Sequence, residues 1–480
     1  MFLIFILVSC EMEAQTSFEK KYAPSLEQYG REIFNSSDEG FLLQGTIEQG
    51  WRNCYFIKTD SIGDTLWTKN YGTDSIQFYA YDMTKTPDGG YLICGDYQQV
   101  LTYPSMDSYV QKIDSMGNQV WFNLFGWPTS QNGNKDYAQL IRTLDDGSII
   151  VVGTTRDYYV SIGNYIPVGQ GWRSYIAKFD TSGSMLEIKT ISLVLDTLWS
   201  QDYQAFDLET IGNRIYWLGI NGSPYYPNSG GTKLVVLNAD LDTLYTISSG
   251  LDAYYGLSKT NDNNLILFGS GNLAKMDTTG AMVWTEPNSS PSFPNEIIEQ
   301  NNGTFASVGG SYHISPFFGD FYNIFFPFNE IVYLNIYNDT GILTGSSIFN
   351  PPSGVVKQLG CNLIKTNDNG FAFVGYSDQN IWLVKTNSLG NLSTGLDEQL
   401  LDANDLKIIP NPATKTCSIF SLNTISEVAI YNLVGDLIAK EEVNSNSYQV
   451  NVEKYSNAIY FIEVNYNMGK KSRKKLIVSH

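Results

Sequence analysis

Apolar and polar residues alternate along most of this chain in short runs, and each run is closed by Gly or by an Asp/Asn-Gly pair. A period of two puts successive side chains on opposite faces of a strand, whereas a helix needs a period near 3.6, so strands should dominate. Residues 109–126 (YVQKIDSMGNQVWFNLFG) show the unit: a strand through Lys112, a turn at Asp114 to Gly117, and a returning strand through Trp121. Asp114 can accept hydrogen bonds from turn amides, and Gly117 can take the positive φ that a side chain resists.

The unit recurs. One landmark, a tight turn and an apolar strand ending in Gly, occurs at 38–45 (DEGFLLQG), 88–95 (DGGYLICG), 146–153 (DGSIIVVG), 213–219 (NRIYWLG), 263–269 (NNLILFG), 302–309 (NGTFASVG) and 369–375 (NGFAFVG). A second follows each of these, at 58–63 (KTDSIG), 112–117 (KIDSMG), 178–183 (KFDTSG), 238–242 (NADLD), 275–280 (KMDTTG), 337–341 (YNDTG) and 385–390 (KTNSLG). The seven units step by about 55 residues, which suits four strands, A to D, with a variable B–C loop. Radially repeated four-stranded units make a propeller, whose core lies between neighbouring blades. The last unit has no D strand, while residues 17–23 (SFEKKYA) resemble the D strands 66–72 (LWTKNYG) and 120–126 (VWFNLFG). The expectation is an all-β, seven-bladed β-propeller over 16–393, with an N-terminal strand closing blade seven.

The repeat resembles the Asp-Gly-Gly-type uncharacterised propeller repeats of exported bacterial proteins, which implies fold rather than activity. Two functional repeats are not met. The Asp114-to-Gly117 step is one residue longer than in the sialidase Asp-box SxDxGxxW and one shorter than in the quinoprotein repeat DxxTGxxxW.

Beyond a linker at 394–404 the repeat stops, and 405–480 alternates in short strands enough for a small Ig-like β-sandwich. This segment resembles the type A sorting domain of type IX secretion. The resemblance rests on Pro410, Asn411 and Pro412 at its head, Gly435 after 428–432 (VAIYN), Tyr460 in 459–464 (IYFIEV), and a basic end containing Lys474 and Lys475. Ala458 stands where the family usually carries Gly. The resemblance implies passage from the periplasm through the outer membrane by the type IX machinery, often followed by removal of the domain.

Composition narrows the classes. A formal charge of −19 argues against a nucleic-acid groove or a basic lipid-binding face. The apolar start 1–10 (MFLIFILVSC) is shorter than a membrane span and reads as a signal-peptide core, with 1–15 removed. A lipobox-like ending at Cys10, giving a lipoprotein, is the less favoured reading. Cys10, Cys54, Cys94, Cys361 and Cys417 show no CxxC; isolated buried thiols are expected, with a disulfide among Cys54, Cys94 and Cys361 the alternative.

Function is less legible. In a propeller the B–C and D–A loops share one face, and here the long B–C insertions carry aromatics, among them Tyr159, Trp172, Tyr226, Phe318 and Tyr322. Insertions gathered on one face mark a binding face, and flat aromatic rings suit a protein or sugar ligand. Counting sixteen residues back from strand-B glycines gives Tyr29, Tyr79, Tyr137 and Tyr203, a partial aromatic ring at the start of the inner strands, with Asp136, Asp202 and Asp252 as nearby acids. His313 is the one histidine before the C-terminus, so histidine triads and multi-histidine metal sites are disfavoured. No catalytic residue, metal or cofactor is assigned. The expectation is a monomeric secreted or surface binding module, with a glycan-active enzyme or a structural surface component as alternatives.

Overall fold

The computed structural model describes residues 17–22, 27–48, 52–73, 75–99, 106–126, 135–156, 172–190, 203–221, 232–248, 250–251, 254–269, 271–287, 290, 292–310, 331–350, 358–392, 406–433, 435–466 and 471–480. Every regular element among them is a strand. The chain divides into two compact units, Met1–Ser393 and Thr394–His480.

The first unit is a seven-bladed β-propeller. Its inner A strands are Glu27–Asn35, Ile76–Lys85, Lys135–Thr143, Tyr203–Ile211, Tyr254–Lys259, Phe293–Glu299 and Gln358–Lys365, and each begins an antiparallel A-B-C-D sheet. Blades one and two are joined further by a single parallel bridge between Asn53 and Phe78. Core clusters span adjacent blades: Ile150, Val152 and Ile176 of blade three pack with Leu208, Trp217 and Val235 of blade four. Strands B and C are buried on both faces because each face meets a neighbouring blade, which is why they read as near-continuous apolar runs.

The ring closes through the N-terminus. Phe18–Tyr22 pairs antiparallel with the C strand of blade seven, Phe18 opposite Lys385 and Tyr22 opposite Ile381. Glu19 accepts a 2.8 Å hydrogen bond from the buried Trp382 indole. Phe18 stands where blade one has Trp67 and meets the next turn in the same way. A Cβ on Gly63 would lie 2.5 Å from the Phe18 ring, as one on Gly117 would lie 2.8 Å from Trp67. Both glycines also have positive φ, 81° and 71°, so the turn needs Gly twice over. Deleting residues 16–24 should lower the melting temperature by several degrees, since it uncovers Trp382 and leaves a strand edge open. An unchanged melt would refute the latch.

The two sequence landmarks are physically joined. Lys58, Lys275 and Lys385 at the ends of C strands reach back to Asp38, Asp262 and Asp368 of the A–B turns at 2.7, 2.7 and 2.5 Å, and Lys112 pairs likewise with Asp88. Within the C–D turn of blade two, Asp114 accepts from the amides of Met116 and Asn118 at 2.9 and 2.7 Å. The stretch around Lys112 to Trp121 is thus a structural clasp.

The second unit is a small Ig-like sandwich with strands Leu406–Ile409, Thr416–Tyr431, Leu437–Asn451, Ala458–Tyr466 and Lys471–Val478. The long strand Thr416–Tyr431 shifts register between Phe420 and Glu427, and its second half pairs with Ala458–Tyr466 as well as with Leu437–Asn451. Ile408, Ile419, Ile430, Val450, Ile462 and Leu476 form its own core. Asn411 clips the last strand, accepting from the amide of Ile477 at 2.8 Å and donating to the carbonyl of Lys475 at 2.7 Å. Tyr460 is buried, its hydroxyl donating to the Ser456 carbonyl, and Gly435 takes a φ of 91° in its turn. Lys474 donates to the Leu406 carbonyl at 2.7 Å, while Lys475, Pro410 and Pro412 are exposed.

Candidate functional site

A β-bulge interrupts every inner strand at the same place: between Gly30 and Glu32, Ala80 and Asp82, Ala138 and Leu140, Ala205 and Asp207, Tyr254 and Gly256, Pro294 and Glu296, and Gly360 and Asn362. An extra residue re-aims the side chains that follow it. Here the bulged residue and its successor both line a central cavity in six of the blades: Arg31 and Glu32, Tyr81 and Asp82, Phe206 and Asp207, Tyr255 and Gly256, Asn295 and Glu296, Cys361 and Asn362. In blade three Leu140 and Arg142 line it. The cavity holds about 350 Å³. Its walls come from the middle and second half of the inner strands, toward the short A–B turns.

The residue after the bulge also ties blades together. Asp82 accepts from its own neighbour's amide, Met83, at 2.8 Å, and from Ile141 of the next blade at 2.7 Å. Asp207 repeats the bridge, to Leu208 at 2.8 Å and to Leu257 of the next blade at 2.8 Å. Asn362 accepts from Ile33 of blade one at 3.4 Å, which carries the same clasp across the ring closure.

Charge is concentrated here. The Arg142 guanidinium lies 2.6 Å from Asp82 and 3.8 Å from each of Asp207 and Glu209. Burial pushes Asp207 up to about 7 despite Arg142. Burial also raises Glu209, against the pull of Arg142. Glu32 is held well above the usual carboxylate range by burial and by the nearby Asp82, with Arg142 and Arg31 opposing. Glu296 is raised by burial, Asp207 and Glu32. A raised carboxyl keeps its proton to higher pH, and in its protonated form it can donate as well as accept hydrogen bonds. Among the described residues no group of three or more His, Cys, Asp or Glu is arranged to hold a metal ion.

Tyr29, Tyr79, Tyr137, Tyr203 and Asp136, singled out from sequence, are not in the lining of this cavity. Tyr29, Tyr79 and Tyr137 share one register, opposite Thr46, Asp96 and Thr154. They pack: Tyr29 stacks on Tyr376 at 4.7 Å, and Tyr79 meets Tyr81 at 4.6 Å, which in turn meets Tyr137 at 6.4 Å. Tyr203 pairs with Asn221, one position off that register, because the A–B turn of blade four is one residue shorter. Asp136 is 1% exposed, inside blade three. Trp172 is placed by its backbone, opposite Arg156. Tyr159, Tyr226, Phe318, Tyr322, Asp202, Asp252, His313 and Cys10 lie outside the described residues. Cys54, Cys94 and Cys417 are buried free thiols, and Cys361 is a half-buried one.

Sequence reading missed Glu32, Asp82, Arg142, Asp207 and Glu296. The signal was available: Glu32, Asp82 and Glu296 each lie thirteen residues before the strand-B Gly of their blade, at Gly45, Gly95 and Gly309. Counting sixteen back found the tyrosines instead.

Residues 407–479 match the family model described as a secretion system C-terminal sorting domain. The chain is 32% identical over 118 residues to an endo-acting ulvan lyase of Formosa agariphila, covering 24% of this chain and 22% of that enzyme, so it spans about a fifth of the length of this curated relative. Among solved structures, the WD40 β-propeller domain of Doa1 aligns at 11% identity and a TM-score of 0.46, over 78% of this chain and 96% of that one. A protein of unknown function from Dyadobacter fermentans aligns at 12% identity and a TM-score of 0.43, over 66% of this chain and 96% of that one. From its blades and its tail, the chain is an exported bacterial seven-bladed β-propeller carrying a type IX secretion sorting domain, bound for the cell surface or the extracellular space.

Proposed function

We propose that this protein is an extracellular binding module whose propeller holds a polysaccharide or protein ligand at the face where its long connections gather. The observation that carries this is the inequality of the two faces. The B–C connections run from Arg156 to Trp172, from Asn221 to Thr232 and from Gly310 to Val332, against Gly269 to Asn272 and Ser377 to Asn380 in blades five and seven. Strand direction puts the strand ends they join at one end of the ring, and the long ones are rich in Tyr and Phe in sequence. The partial match to an ulvan lyase favours a polysaccharide.

The test is a polysaccharide array with product analysis. The wild type should be retained without releasing fragments, and replacing 311–330 by a short turn like that of blade five should abolish retention with little change in melting temperature. Equal retention by the loop variant counts against the loop face. The second reading, a glycan-active enzyme, is favoured by the raised carboxyls of the channel; fragment release lost in Glu32→Gln or Glu296→Gln would establish it over the binding module.

A further inference from the structure

The two arginines of the cavity differ in kind. Arg142 pairs with three carboxylates, while Arg31 makes no ion pair among the described residues, Glu32 being the acid that acts on it, and its Nη1 is buried with no hydrogen-bond partner. A buried donor without an acceptor is unfavourable, so Nη1 has an open place for an acceptor from a ligand. Tyr79 and Tyr81 hold the guanidinium against their rings, at 5.2 and 5.7 Å to the centroids. That contact immobilises a planar fork matched to a carboxylate.

We infer that the channel cavity binds a small acidic sugar, its carboxylate on Arg31 and its hydroxyls against Glu32, Glu296 and Asn362. The site stands apart from the proposed loop face and does not rest on it. A volume of about 350 Å³ is at the lower end of ligand pockets, room for one ring rather than a chain. Glu32 makes no hydrogen bond among the described residues, and Glu296 is reached by the Asn362 amide only at 3.5 Å, so both have capacity for a ligand.

Charge sets the sign of the pH dependence. Around Arg31 the titratable groups are Tyr79, Tyr81, Cys361 and Glu32. Around Glu32 and Glu296 the charged groups are Asp82, Asp207, Glu209, Arg142 and Arg31. With Glu32 and Glu296 protonated the cavity accepts an anion. As pH rises and they ionise they repel it, so affinity should fall.

Calorimetric titration of the full chain with D-galacturonate, D-galactose, N-acetylglycine and methylamine, near pH 6 and near pH 8.5, tests this. D-Galacturonate alone should bind, and more weakly at the higher pH. Arg31→Gln should weaken it by about tenfold or more and Arg31→Lys by less, since Lys keeps the charge but loses the fork. Glu32→Gln, which cannot ionise, should blunt the pH dependence, and this readout survives even if Arg31→Gln fails to fold. Binding of D-galactose or N-acetylglycine as tightly as D-galacturonate, binding of methylamine instead, no binding at all, or full binding by Arg31→Gln would each overturn the assignment. Failure here is read on single sugars, and failure of the loop face on polysaccharides, so the two are separable.

Discussion

Arg142→Met should be the most damaging single substitution in the propeller, and most so at alkaline pH. The guanidinium faces Asp82 and Asp207 in the cavity wall and Glu209 beside it, and Met fills most of the volume but none of the charge. Removing one partner of a buried ion pair costs about 3–5 kcal/mol, because the remaining charges stay desolvated. The pH dependence follows from the carboxyls. A group whose folded pKa lies above its unfolded value contributes stability below the unfolded value and loses it as pH rises through the folded one. For Asp207 that window runs from its ordinary 3.8 to about 7. Without Arg142 the window extends upward, so urea unfolding should show the full loss at about pH 8 and well under half of it at about pH 5, where protons replace the missing cation. Asp82 keeps its two amide bonds in the variant, which should leave the ring assembled. An equal loss at both pH values would mean that packing, not charge, is what Arg142 supplies.

The second large effect is on location. Deleting residues 407–480 should retain the protein in the periplasm, with near-complete loss of surface or secreted signal, because these residues include nearly all of the matched sorting domain. The sandwich has its own core, drawn wholly from Leu406 to Val478. The truncated propeller should therefore keep its melting temperature, which separates failed export from misfolding. Surface display of the truncated chain, detected by protease accessibility on intact cells, would refute the role of the domain.

How far these features could be read beforehand varies with how local their causes are. The hairpin turns were legible because Asp114 and Gly117 satisfy a turn by themselves, within four residues. Ring closure was legible because residues 18–22 copy a D strand position by position, Phe18 for Trp67 and Tyr22 for Tyr71. Tyr22 indeed donates to the Gly63 carbonyl at 2.7 Å, and Tyr71 makes the same bond to Gly117. The pairing of Lys112 with Asp88 was not anticipated, although both residues stood in named motifs, because it depends on where two turns meet across a sheet.

The channel was the least legible part. Acids in an inner strand look like solvent-facing positions of an alternating pattern, and Glu32 or Asp82 alone carries no further mark. A one-residue difference in the blade-four turn was also enough to shift Tyr203 out of the register that Tyr29, Tyr79 and Tyr137 share.

By itself, the sequence determined the number of blades, the strand that latches them and the address of the protein, since periodicity, turn chemistry and a contiguous sorting segment are all written within short stretches of chain. Only the tertiary structure decided that seven aligned bulges turn residues from separate blades into one charged cavity, with Arg142 paired to three carboxylates and Arg31 Nη1 buried without a hydrogen-bond partner. Such a site is made of residues some 50 or more positions apart, and its electrostatics depend on distances and burial that no local pattern encodes.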